Sequence, residues 1–149
     1  MLRNATMAAP SGKQYVVIRV PKPVEEADFF ARIYDAAAMV VDETTRQLDT
    51  GKFVLRITRA EGEKDRTRGI YLEISVDNVN KFTEEVWNRG VKYASRPQNG
   101  EDGFRRVGFV SPGEIRVDGV GPLKLDSTGA FPAFREKNQP RPEGRGKAG

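Results

Sequence analysis

The 149-residue chain contains no cysteine and no histidine. Without cysteine there is no disulfide, no thiolate-held zinc, no iron–sulfur cluster and no thiol nucleophile. Without histidine every Ser-His or Cys-His triad and every imidazole-held metal is excluded. A metal would have to be held by carboxylates, carbonyls and water, which suit hard, weakly bound cations. The remaining chemistry rests on Asp, Glu, Lys, Tyr, Arg and Ser/Thr. No apolar run approaches the ~18 residues that a membrane-spanning helix needs. No apolar segment of signal-peptide type is present near the start, so secretion is not expected. Walker, GxGxxG, GxSxG and EF-hand patterns are missing as well, which leaves the 15 glycines as turn residues.

What is present is a globular balance, 38% hydrophobic and 31% charged, in a length that suits one domain or two half-domains sharing a core. The net charge of +4 is unevenly placed. Residues 1–24 carry Arg3, Lys13, Arg19 and Lys22 and no acid, whereas residues 25–126 hold 16 basic and 19 acidic groups. Residues 127–149 carry five basic groups against Glu136 and Glu143. A slightly acidic body thus has two basic ends. Such ends suit nucleic acid, an anionic lipid surface or an acidic protein, or serve only to solubilise. No motif supports nucleic acid in particular. The stretch MLRNATMAAPSG loosely resembles a mitochondrial presequence, so the expected compartment is the cytoplasm or the mitochondrial matrix. The segment NQPRPEGRGKAG has too little apolar surface to offset the entropy of ordering. Ahead of it, Phe131 and Phe134 read as an anchor for a partner or for the chain's own body. Arg135, Lys137, Arg141, Arg145 and Lys147 would then follow an acidic surface.

A repeat organises the middle of the chain. Tyr15-Val-Val-Ile18-Arg-Val20 and Tyr71-Leu-Glu-Ile74-Ser-Val76 share Y-x-x-I-x-V at an interval of 56 residues. After the first copy, Ala27, Phe30, Ala31 and Tyr34 fall on one helical face, with Glu25, Glu26 and Asp28 in the first turn, where the helix dipole favours acids. After the second, Asp77-Asn78 supplies an N-cap, Val79, Phe82 and Val86 form the stripe, and Gly90 suits the position just past the end. Strand signals follow each helix. They are Met39-Val40-Val41 and Phe53–Ile57 in the first half. In the second they are Val91–Tyr93, Phe104–Val110 and Ile115–Asp118, punctuated by Glu101-Asp102-Gly103 and Pro112-Gly113 turns. The pattern is strand, helix, three strands, twice: an α+β fold of two βαβββ modules at 14–59 and 69–120. They form a single domain over 14–126, with an N-terminal extension over 1–13 and a basic C-terminal one over 127–149. The linker EGEKDRTRG, with Lys64, Arg66 and Arg68, reads as polar and solvated.

This arrangement resembles the vicinal oxygen chelate superfamily of glyoxalases, bleomycin-resistance proteins and extradiol dioxygenases. The stretch GIYLEISVDNVNKFTEEVWNRGVKYASRPQNGEDGFRRVGFVSPGEIRVDGVG looks like that family's second module. The resemblance implies that the modules curl into a cup-shaped mixed sheet with a ligand site inside. Metal-using relatives place ligands on the first and last strand of each module. Those places fall here on Tyr15 and Tyr71, and near Arg56 and on Asp118. Only Asp118 is a metal-ligand type, and one carboxylate does not hold Zn²⁺, Ni²⁺ or Fe²⁺. No metal and no other cofactor is therefore expected.

The two tyrosines either stack on a flat ligand or plug the cup as packing. Arg56 and Asp118 either pair across it or act on a ligand. Arg106 and Arg105 are adjacent on a strand and point to opposite faces, so Arg106 is a candidate for the cup. Trp87 either widens the buried helix face or marks a contact surface. Two functions follow. One is a catalytically degenerate member that serves as a structural or accessory subunit of a larger assembly or as a homodimer, anchored by its extensions. The other is a metal-independent protein that binds and sequesters a small aromatic, antibiotic-like compound.

Overall fold

The computed structural model describes residues 12–123 and 133–134. In chain order the elements are β1 (Tyr15–Val20), α1 (Pro23–Tyr34), β2 (Met39–Asp42), β3 (Thr45–Asp49), β4 (Val54–Arg59), β5 (Tyr71–Ser75), α2 (Val79–Asn88), β6 (Ser95–Asn99), β7 (Phe104–Val110) and β8 (Arg116–Pro122), with a single 3-10 turn at Glu63–Asp65. The strands form two four-stranded mixed sheets, ordered β1-β4-β3-β2 and β5-β8-β7-β6. This is the duplicated βαβββ pattern. Two compact units result: Met1–Tyr71 with Val110–Arg116, and Leu72–Phe109 with Val117–Gly149.

In the first unit β1 runs parallel to β4, and β3 antiparallel to both β4 and β2. Alternation sends Ile18 and Val20 of β1, Leu55 and Ile57 of β4 and Leu48 of β3 to one side, where all are buried. Helix α1 belongs to the same core through Pro23, Glu26, Ala27, Phe29, Phe30 and Ile33. Pro23 in the first turn fits because its missing N–H would have no helical partner there. The helix ends at Asp35, whose backbone is left-handed (φ 52°). The buried stripe is rotated from the expected one: Glu26 and Ile33 lie on it, and Ala31 and Tyr34 lie at its margin. Tyr34 stacks on Phe30 and meets Phe53 edge-on. Burial pushes its hydroxyl up to about 12.

In the second unit α2 starts at Asn78, whose side chain accepts from the Lys81 N–H at 3.0 Å, so the expected cap forms. Gly90 just past the helix takes φ 99°, a conformation that glycine adopts without strain. The Phe82 ring lies over Gly119 of β8 so closely that a Cβ there would fall 2.7 Å from it. Phe82 also meets Phe109 edge-on at 6.0 Å.

Two strand expectations are corrected. Val91–Tyr93 is not a strand; β6 begins at Ser95. Tyr93 instead packs edge-on against both Trp87 and Phe134 at 5.8 Å. Pro97 is tolerated in β6 because this is an edge strand with a register shift between Ser95 and Gln98. Strand β3, TRQLD, carries one apolar residue and gave no sequence signal. Ile115 lies in the turn before β8 rather than in the strand, yet is buried.

Candidate functional site

The register of the first sheet places Val17, Arg56, Gln47 and Met39 in one row across β1, β4, β3 and β2. They point away from the α1 side, as do Tyr15, two residues before Val17, and Thr45 and Thr58 in the next row. Part of this face is open: Tyr15 is 48% exposed, Val17 49% and Met39 63%, against zero for Ile18 and Ile57 on the other side, whereas Thr45 and Val54 are buried on it. The guanidinium of Arg56 lies over the Tyr15 ring, 4.8 Å from its centroid, and its Nε donates to Gln47 Oε1 at 3.1 Å. The aromatic face and the amide oxygen together fix the half-buried head of Arg56. No carboxylate lies within ion-pairing distance of it among the described residues.

The other candidates fall elsewhere. Tyr71 is 49% exposed at the start of β5, and Asp118 of β8 is buried in the second unit. Arg106 is bound to Asp102 in the β6–β7 hairpin, its two Nη atoms donating to Oδ1 and Oδ2 at 3.2 and 2.7 Å. That bond holds the Asp102 carboxyl below its ordinary value. Arg105 points the other way, to Asn80 Oδ1 on α2 and to Asn99. Burial, and then the charge of Arg96, pull it below the usual arginine value. Phe134 is docked on the body against Tyr93 and is 9% exposed. Phe131, Arg135, Lys137 and Arg141 lie outside the described residues. Trp87 packs against Tyr93, with Lys92 over its ring.

One cluster was not foreseen. Glu26, expected in the first turn of the helix for the dipole's sake, is 1% exposed. Its carboxylate accepts from Gly113 N at 2.6 Å and from the Ser111 hydroxyl. Arg66, read as a solvated linker charge, keeps only 11% of its side chain exposed. It donates to Gly113 O at 2.9 Å and to Glu63 at 2.8 Å. Ser111 Oγ in turn accepts from Ile115 N. The turn at 111–115 is therefore held by a carboxylate from one side and a guanidinium from the other. Glu114 within it takes a left-handed backbone, φ 66°. Burial pushes the Glu26 carboxyl above its ordinary 4.5, against the opposing pull of Ser111, Gly113 and Arg66. A cleft of about 380 Å³ adjoins, lined by Lys22, Glu25, Glu26, Arg66, Gly113 and Glu114 among others. The position of Glu26 on the Phe29/Phe30/Ile33 stripe was the available signal. Both oxygens of Glu26, the Ser111 hydroxyl and both Nη atoms of Arg66 have partners, and the cluster reads as a structural tie.

Among the described residues no group of three or more acidic side chains is placed to hold a metal, and no helix is long and apolar enough to cross a membrane.

No protein-family model matches the chain, and no curated protein matches it. Solved structures do. A glyoxalase/bleomycin resistance protein/dioxygenase from Nocardioides superposes with a TM-score of 0.63 at 12% identity, covering 89% of this chain and 93% of that one. A glyoxalase/bleomycin resistance protein/dioxygenase family enzyme from Burkholderia phytofirmans PsJN gives 0.61 at 18% identity, covering 74% and 98%. TioX from Micromonospora sp. ML1 gives 0.58 at 13% identity, covering 74% and 98%. The chain has the vicinal oxygen chelate fold, built from the two βαβββ modules that its repeat announces.

Proposed function

We propose that this protein binds a small molecule without a metal, on the open face of its first sheet, and catalyses no reaction there. The observation that carries this reading is the exposed pairing of Tyr15 with Arg56. An aromatic ring and a fixed guanidinium stand on the first and last strand of the module, where the fold's metal-using members place ligands. The guanidinium has no acceptor atom with which to ligate a metal, and a single phenol beside it does not make a transition-metal site. Both recognise ligands, the ring by stacking and the guanidinium by directed hydrogen bonds. The exposed Val17 and Met39 add apolar area to either side. Sequestration of a flat compound is the activity this surface suits.

The test is ligand-induced stabilisation of chelator-treated protein. Flat aromatic compounds should raise the melting temperature with a chelator present, and Tyr15→Ser should remove the shift. A shift that requires an added divalent metal would overturn the reading.

A second reading, an accessory subunit of a larger assembly, draws on the edge strand β2. Its Met39, Val40 and Val41 are all more than half exposed, and an unpaired strand edge is a template for another chain. Co-purification of native partners that a Val40→Lys variant loses would favour it.

A further inference from the structure

Arg56 has more hydrogen-bonding capacity than the protein uses. Its Nε is satisfied by Gln47 and one face of its plane by Tyr15. No protein acceptor among the described residues takes the N–H groups of its two Nη atoms. Neither the amide nor the ring supplies a counter-charge. An arginine ordinarily resolves that situation with a carboxylate at bidentate distance. Gln47 makes the omission pointed: it is the directly paired neighbour of Arg56 across β3 and β4, where a glutamate of the same length would supply the counter-charge.

The remaining fork is held beside the Tyr15 ring, on a face whose exposed apolar groups are Tyr15, Val17 and Met39. We infer that the ligand of this face is a planar aromatic compound bearing a carboxylate, its ring over the Tyr15 and Val17 surface of β1 and its carboxylate across the two Nη atoms of Arg56. This deepens the proposed function and rests on its reading of the face as a ligand site. It adds the chemical class of the ligand, an aromatic anion, and assigns Gln47 as the residue that positions Arg56 without neutralising it.

The test uses the full chain and two probes of one shape, 2-naphthoate and its uncharged isostere 2-naphthamide. Binding is read from the methyl NMR signals of Val17. Naphthoate should shift them and bind at least about tenfold more tightly than naphthamide, and the preference should shrink with added salt. Arg56→Met should abolish the preference and leave weak binding of both probes. Gln47→Glu, which gives Arg56 an internal carboxylate, should do the same while Arg56 remains in place. The sheet face is exposed, so both variants should fold, with unchanged methyl spectra for the buried residues. Equal binding of the two probes overturns the anion inference and leaves the ligand face standing. No shift of Val17 with either probe overturns both.

Discussion

The two units share a plan and differ in how well the helix is seated on its sheet. In the first, α1 buries six residues and the matched strand positions Ile18 and Val20 are almost fully covered. In the second, α2 buries only Val79, Thr83 and Val86, and Ile74 and Val76 are half-buried. The same Y-x-x-I-x-V strand thus meets two different neighbours. In the first unit paired aromatics at Phe29 and Phe30 reach across the sheet. In the second, a phenylalanine ring lies on Gly119, and the sheet supplies little side-chain volume there. Duplication of sequence does not carry duplication of core density, because each module buries its helix by a separate solution.

The comparison is broken most directly at the strands. Ile18→Ala should cost about 4 kcal/mol and Ile74→Ala about 2 kcal/mol, since the residual cavity is larger where the site is fully enclosed. Urea denaturation of the two variants checks this, and equal costs would erase the distinction. Gly119→Ala should cost about 2 kcal/mol by overpacking against Phe82. Pairing it with Phe82→Leu should return part of that loss, which a double-mutant cycle would show. Asn78→Ala should cost about 1 kcal/mol by removing the cap on α2. The equivalent position of α1, Lys22, makes no side-chain cap, so Lys22→Ala should be nearly silent in the same assay.

The gentlest test varies pH at Glu26. Its carboxyl titrates above the ordinary 4.5 in the folded protein because burial disfavours the charge. The folded state therefore holds the proton more tightly than the unfolded one, and protonation adds stability. That contribution is complete below 4.5 and is lost as pH rises through the raised folded value. The Glu26→Gln variant lacks the term. Its stability relative to the parent should therefore increase as pH is raised across this window, as read by denaturant midpoints at each pH. A difference that stays constant with pH would mean that the carboxyl is not desolvated.

The repeat, both helices and most strands were legible because they rest on apolar period and turn chemistry, which are local. The N-cap at Asn78 and the turns at Glu101–Gly103 and Pro112-Gly113 belong to the same class. Strand β3 was not legible, since TRQLD is recruited by its neighbours β2 and β4. The Val91–Tyr93 segment misled because its apolar residues serve an aromatic cluster that includes Phe134, about forty residues further on. At the candidate site, Tyr15 and Arg56 emerged only through the resemblance, and their stacking needed the register of β1 against β4. The burial of Glu26 and Arg66 was not legible because partners 85 and 47 residues away in sequence leave no local trace.

Docking of Phe134 on Tyr93 has a consequence in terms of effective concentration. Leu123 is fixed by its N–H to Gly103 O at 3.3 Å, and Phe134, eleven residues further on, by the aromatic cluster. A side chain so near in sequence to a fixed point meets its partner at an effective concentration on the order of millimolar, and the entropy of bringing the two points together grows only as the logarithm of their separation. A modest aromatic contact is then enough to keep the anchor seated. Glycine–serine insertions after Asp126 should dilute Phe134 against Tyr93, which makes the sequence length between Leu123 and Phe134 a graded control over how firmly that contact holds.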